Sequence, residues 1–245
     1  MSGTTLQDAA RHESGHATAL AIRTEILTDN LFVTCKPDGS HPAGINDAPR
    51  IPITEMSAAD WMIYNLAGHS AECLFNPNAN RNTALRDDIT AERVLRVSFP
   101  PELWADVLGM AEQLTYELVE THRECIQELA DAILAVSARA VVILGEEFHV
   151  RRLSAPQIAE VLRNNRIKTS KQFGSIDPDT MFEKLLERYV IAVRLAEKSS
   201  VLATEFRKWR RFSEMKFLHP TTPHLNHQMW LDYFDTAKTK VEIAP

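Results

Sequence analysis

The stretch AARHESGHATAL, residues 9–20, contains the pattern H-E-x-x-H at His12, Glu13 and His16. Residues four apart lie on one face of an α-helix, so the two imidazoles can meet only if this segment is helical. Most of its other residues are small, and Gly15 within a helix costs up to about 1 kcal/mol relative to alanine. The segment therefore predicts a helix that packs closely against neighbouring backbone.

Two histidines at this spacing can bind one zinc ion. Zinc accepts imidazole nitrogen readily, and its catalytic sites use three protein ligands and one open position. Glu13 lies beside the histidines, where its carboxylate can take a proton from a zinc-activated water. The alternative is an exposed polar helix face without metal, but the small residues around the motif argue against it. We therefore expect zinc ligation by His12 and His16, with Glu13 as general base.

A zinc site of this kind needs a third protein ligand. The downstream candidates with suitable side chains are His41, His69, Glu72, Asp87 and Asp88. Composition and spacing alone leave the choice among these five residues open.

The rest of the sequence is mainly helical in pattern. The first helix is expected over residues 6–26, with Thr5 as its N-cap. Between residues 27 and 54 the runs NLFVTC and RIPIT are typical of short strands. Further helices are expected to begin near residues 57, 84 and 101. A fifth helix is expected to include Ile126 and continue to Leu144, with Gly145 as its stop, and a sixth to follow Ser154.

Composition and charge bound the class of protein. A hydrophobic fraction of 44% suits a globular chain with a sizeable core, and a net charge of −6 gives no general attraction to nucleic acid. Residues 1–165 carry −10 and residues 166–245 carry +4, which predicts two domains with a boundary at 165. An odd number of cysteines and the lack of a signal peptide or apolar span predict a cytoplasmic protein without a membrane span.

Three segments together resemble the peptidase domain of the FtsH family of ATP-dependent zinc metalloproteases. HESGHA resembles that family's HEAGHA helix, and LAGHSAECLF (66–75) is similar to its GGRAAEELIFG segment. NTALRDDITAERVL (82–95) is similar to TGASNDLERATEIA, in which an Asp followed by Leu supplies the third zinc ligand. The resemblance covers about residues 5–165. It implies an FtsH-peptidase-like zinc domain over residues 1–165. The pattern along the chain predicts a mainly α fold with a small β element after the first helix and a helical C-terminal extension over residues 166–245.

The resemblance also implies roles for individual residues. The matching third ligand is Asp88, beside His12 and His16, whereas Asp87 is the competing ligand or a first-turn acid that favours the helix dipole. Glu72 either orients a ligating imidazole or is a plain surface acid. His69 is not expected to bind metal, because the family has no histidine there. Cys73 stands where the family has a second glutamate.

The function expected from these features is zinc-dependent peptide hydrolysis, as a metalloendopeptidase acting on peptides or unfolded proteins, with homo-oligomers possible. The chain has no G-x-x-x-x-G-K-[ST] phosphate loop, so hydrolysis is expected to be independent of ATP. The rival expectation is a non-catalytic zinc-binding scaffold or regulatory protein.

Two further segments leave alternatives open. Residues 31–35 could form an edge strand that aligns an extended substrate, or a strand that only closes the core. The basic and aromatic stretch FRKWRRF (206–212) could bind nucleic acid or acidic protein, although a solvated helix face is the favoured interpretation.

Overall fold

A computed structural model describes residues 5–47, 56–79, 85–143 and 145–172 of the chain. This part holds six α-helices and a four-stranded antiparallel sheet, which confirms the mainly helical class. The helices are α1 (Leu6–Thr24), α2 (Ala58–Phe75), α3 (Leu85–Ser98), α4 (Trp104–Thr121), α5 (Arg123–Ala135) and α6 (Ala155–Asn164). The strands are β1 (Asn30–Cys35), β2 (Ala43–Asp47), β3 (Arg139–Ile143) and β4 (Glu146–Ser154). None of the described helices is long and apolar enough to cross a membrane.

α1 is the central helix of the core. Thr5 caps it as predicted, because its hydroxyl accepts from the Asp8 amide at 3.1 Å and its own amide donates to the Asp8 carboxylate at 3.0 Å. The helix ends at Thr24, and the next residue, Glu25, caps it with a left-handed φ of 57°. Every residue from 12 to 21 is buried, including both histidines and the glutamate of the motif. A helix buried all round must satisfy its polar side chains within the protein.

Gly15 allows α2 to lie directly on α1. A Cβ atom at position 15 would lie 2.6 Å from the Ala67 carbonyl oxygen and 2.7 Å from Ala71 Cβ, which no real side chain tolerates. The packing reason expected for a glycine in mid-helix is therefore present. This close approach brings the Tyr64-to-Glu72 face of α2 against the two histidines.

The sheet has the strand order β2-β1-β4-β3. β1 is the predicted NLFVTC strand, and all six of its residues are buried. The suggestion that this strand lies at a sheet edge is wrong, because β1 pairs with β2 on one side and with β4 on the other. The second predicted strand, RIPIT, lies outside the described residues.

The expected fifth helix is too long. α5 ends at Ala135, and the chain then forms the β3–β4 hairpin where a continuous helix was expected. Gly145, expected to stop a helix, has a φ of 77° beside the turn of this hairpin. The run from Val141 to Ile143 is β-branched, which favours strands. β4 pairs with β1, from Asn30↔Ser154 to Cys35↔His149, and this pairing joins the β3–β4 hairpin to β1 and β2 in one sheet.

The apolar core lies on both sides of α1. On one side Leu129 and Ile133 of α5 and Ile158 of α6 pack with the buried face of β1. On the other side α2 packs against α3 and α4 through Met62, Leu66, Ala91, Leu95 and Ala111. α1 is thus held from two directions, which fixes the position of its motif.

Residues just beyond the predicted boundary at 165 pack with the residues before it. Ile167 is part of the core cluster that contains α5 and α6, and the Leu27 amide donates to the Lys171 carbonyl at 2.9 Å. Residues 173–245 lie outside the described part of the chain, including FRKWRRF. The division into domains 1–165 and 166–245 stays a prediction.

Candidate metal centre

Three side chains converge where α1, α2 and α3 meet. The Nε2 atoms of His12 and His16 are 3.0 Å apart. Asp87 Oδ2 lies 3.0 Å from His12 Nε2 and 3.5 Å from His16 Nε2. This buried group of two imidazoles and one carboxylate can hold a metal ion.

The spacing of the three atoms fits a single ion between them. Ligand atoms at 2.0–2.1 Å from a tetrahedral zinc ion lie about 3.3 Å from one another. The observed separations of 3.0, 3.0 and 3.5 Å lie on both sides of that value. Small shifts of the side chains would therefore complete three of the four positions around an ion.

The other ring nitrogens are occupied by hydrogen bonds. His12 Nδ1 donates to Glu72 Oε1 at 2.7 Å, and His16 Nδ1 donates to the Tyr64 carbonyl at 2.6 Å. Such partners of a ligating histidine fix its tautomer and ring orientation. With both Nδ1 atoms protonated, two Nε2 lone pairs would face each other at 3.0 Å, which requires a proton or a cation between them. Glu72, only 1% exposed, is therefore a partner of His12 rather than a surface acid.

α3 brings Asp87, and not Asp88, into this group. Asp87 lies one and two helical turns before Ala91 and Leu95, which are 1% and 2% exposed and pack into the core. Residues four apart share a helix face, so Asp87 points inward with them. The predicted ligand Asp88 is the next residue on α3 and is not a member of the three-residue group. The i, i+4 pattern through Ala91 and Leu95 is the sequence signal that favours Asp87.

Gly68 leaves the space beside the two imidazoles. A Cβ atom at position 68 would lie 2.5 Å from Nε2 of His12 and 2.5 Å from Nε2 of His16. Any larger residue would therefore displace the two atoms that face the proposed ion. The absence of a side chain at this point of α2 is a requirement of the site.

Glu13 is buried between α1 and β2 and is 7% exposed. Burial raises the pKa of Glu13 above its ordinary value, against the opposing attraction of His12 and His16. A carboxylate whose pKa lies closer to neutrality is better matched to accepting and returning a proton. Glu13 is therefore a buried carboxylate with a raised pKa that interacts electrostatically with both histidines of the group.

The charges of the group are strongly coupled. Burial alone lowers the pKa of His12, but hydrogen bonds to Asp87 and Glu72 outweigh it and raise that pKa well above its ordinary value. Burial would raise the pKa of Asp87, but the positive charges and hydrogen bonds of His16 and His12 hold it far below its usual range. Without a metal ion, a protonated His12 ring therefore lies between the carboxylates of Glu72 and Asp87, and a bound cation would replace the proton on Nε2.

The two other candidate histidines, His41 and His69, have different partners. His41 Nδ1 contacts Ser40 Oγ at 3.0 Å in the connection between β1 and β2. His69 Nε2 contacts Cys73 Sγ at 3.4 Å, one turn along α2. Neither histidine belongs to the group that can hold an ion.

Comparison with models of known protein families gives no match, and no curated protein matches the sequence significantly. The function of the centre must therefore be inferred from its own geometry.

Proposed function

We propose that the chain is a zinc metallopeptidase with a centre formed by His12, His16 and Asp87. One observation carries the proposal: the two Nε2 atoms and one Asp87 oxygen converge within 3.5 Å, while both Nδ1 atoms are held by other partners. The order H-E-x-x-H and the likeness of three segments to the FtsH peptidase domain support the same conclusion. In this proposal Asp87 replaces Asp88 as the third ligand.

The donor set favours zinc over harder ions. Two imidazole nitrogens and one carboxylate are ordinary zinc ligands, whereas magnesium and calcium prefer oxygen atoms alone. Among the described residues the group has three members rather than four, which leaves one position of a tetrahedral ion available, as in catalytic sites.

The chemistry is divided between the ion and the chain. When bound, zinc supplies a Lewis acid that polarises a carbonyl oxygen and makes water acidic enough to lose a proton near pH 7. Glu13 accepts the proton of the attacking water and returns it to the leaving amine. Glu72 and the Tyr64 carbonyl keep the two imidazoles in the orientation that presents Nε2.

The substrate proposed is a peptide or an unfolded protein chain. The chain itself carries no phosphate loop, so we propose hydrolysis without ATP.

A non-catalytic zinc-binding scaffold is the second candidate, and burial is the observation that favours it. His12, Glu13 and His16 are each no more than 7% exposed, as in a closed structural site. Asp87 is more open, with a side chain that is 23% exposed. Access from the Asp87 side would be needed for a substrate carbonyl to reach the ion.

A metal titration paired with a peptidase assay tests the assignment of ligands. We expect about one zinc ion per chain, lost in Asp87→Ala and retained in the matched control Asp88→Ala. Loss of zinc in Asp88→Ala with retention in Asp87→Ala would contradict the ligand set.

The Glu13→Gln variant separates enzyme from scaffold. It preserves side-chain shape and should keep zinc while losing turnover by about 100- to 10,000-fold, the usual contribution of a general base. Equal turnover in both proteins at equal zinc content would refute the role of Glu13, and no hydrolysis by the wild type would favour the scaffold.

A further inference from the structure

Gly44 on β2 lies directly against the side chain of Glu13. A Cβ atom at position 44 would lie 2.4 Å from Glu13 Cγ, 2.9 Å from Cδ and 2.7 Å from Oε1. Real Cβ atoms essentially never come within 3.0 Å of another heavy atom in this way. The outer part of the Glu13 side chain therefore occupies the volume that any side chain at position 44 would need.

α1 alone does not determine where the Glu13 carboxylate lies. The helix fixes its Cα atom, but a glutamate side chain has three torsions, and several staggered combinations are compatible with a helix. Neighbouring atoms must select one of them. The β2 backbone at Gly44 lies against the outer part of this side chain from outside α1 and can therefore make that selection.

β2 is firmly held where it meets Glu13. Gly44 is paired with Val33 of β1, which is fully buried, and β1 is paired in turn with β4. Gly44 therefore belongs to a strand that is hydrogen-bonded to the sheet.

We propose that Gly44 is a positioning residue, because the β2 backbone holds the Glu13 carboxylate beside the metal group. The Glu13 side chain can contact this backbone only because residue 44 has no side chain. The inference rests on the proposed function in one respect, namely that Glu13 acts as the base. The contact between Gly44 and Glu13 can be tested without it.

A double-mutant cycle on the full-length protein tests the contact through thermal unfolding. Gly44→Ala should lower Tm by about 5 °C, because overpacking in a filled site is destabilising. In a Glu13→Ala background, which removes Cγ, Cδ and Oε1, the same substitution should lower Tm by less than about 2 °C. If Gly44→Ala does not fold at all, recovery of a folded protein in the double variant supports the contact equally.

The matched control is Gly109→Ala on α4, where an added Cβ would meet nothing within 4 Å. Its effect on Tm should be the same in both backgrounds. An equal decrease in Tm for Gly44→Ala with and without the Glu13 side chain would overturn the proposal.

Kinetics then test whether the contact matters for the reaction. A displacement of about 1 Å in a reacting group can lower turnover about 100-fold, so Gly44→Ala should lose kcat to that extent with zinc affinity and KM nearly unchanged. A wild-type kcat in Gly44→Ala would refute positioning of the base. If the wild type hydrolyses no peptide, the proposed function fails, and the unfolding cycle still decides whether β2 holds Glu13.

Discussion

Removal of the Glu72 carboxylate should weaken metal binding without removing a ligand. Glu72 Oε1 accepts from His12 Nδ1 at 2.7 Å, and the two side chains are 2% and 8% exposed. A hydrogen bond to a charged group contributes about 1.5–3 kcal/mol, and about 1.4 kcal/mol is a factor of ten in an equilibrium constant. We therefore expect Glu72→Ala to lower zinc affinity roughly 10- to 100-fold, the range typical of partners that orient ligating histidines.

Glu72→Gln tests how much of the loss of zinc affinity is due to the charge of Glu72. Glutamine keeps a carbonyl oxygen that can accept from His12 Nδ1 and removes only the charge. Its loss of affinity should be less than about 10-fold, which gives the order wild type, Gln, Ala.

The assay is competition for zinc with a chromophoric chelator at fixed pH. Glu112→Ala, at an exposed acid of α4, is the control for a general change in charge. Circular dichroism of each variant must show an intact helical fold. Zinc affinity of Glu72→Ala within twofold of the wild type would refute the idea that this carboxylate orients His12.

Four further predictions concern pH, packing and energy supply. The pKa of His12 is raised above 6.5 in the folded, metal-free protein. Protonation of His12 therefore stabilises that form fully below pH 6.5, and this stabilisation is lost as the pH rises through the higher pKa of the folded state. Zinc affinity, measured by competition titration, should rise with pH over the same window. Gly68→Ala should abolish zinc binding, whereas Gly109→Ala should leave it unchanged. Equal zinc binding by the two variants in calorimetric titration would contradict this prediction. Gly15→Ala should destabilise the protein by about 1–3 kcal/mol in urea unfolding, and an unchanged midpoint would contradict the close packing of α1 on α2. Hydrolysis of an unfolded substrate should proceed at the same rate with and without ATP, and stimulation by ATP would disprove independence.

Local sequence signals were sufficient for α1 and β1. The signals for α1, namely the Thr5 cap and the spacing of the motif, come from residues within the helix or directly before it. The signal for β1 comes from the β-branched and aromatic residues of NLFVTC itself. The β3–β4 hairpin was not predictable in this way, because the apolar run around Val141 suits either a helix or a buried strand. Its pairing with β1, more than a hundred residues earlier in the chain, decides the outcome.

In the candidate metal centre, too, some residues could be predicted from local sequence and others depend on distant contacts. His12, Glu13 and His16 follow from one helical motif, and the role of Glu72 as a partner of His12 was one of two alternatives. The third member of the candidate group depends on which face of α3 meets α2, and the family likeness pointed to the residue next to Asp87, namely Asp88. Contact of Glu13 with Gly44 has no local signal at all, since it depends on how closely a strand approaches a helix.

The distance along the chain between the ligands has a consequence for stability. His12 and Asp87 are 75 residues apart, and an ion bound to both would act as a reversible crosslink between α1 and α3. By the entropy of loop closure, a covalent link over that span would stabilise the folded state by about 4 kcal/mol. A catalytic centre of this kind would thus also join α1 to α3. A chelator would then remove both the activity and a large part of the resistance to unfolding.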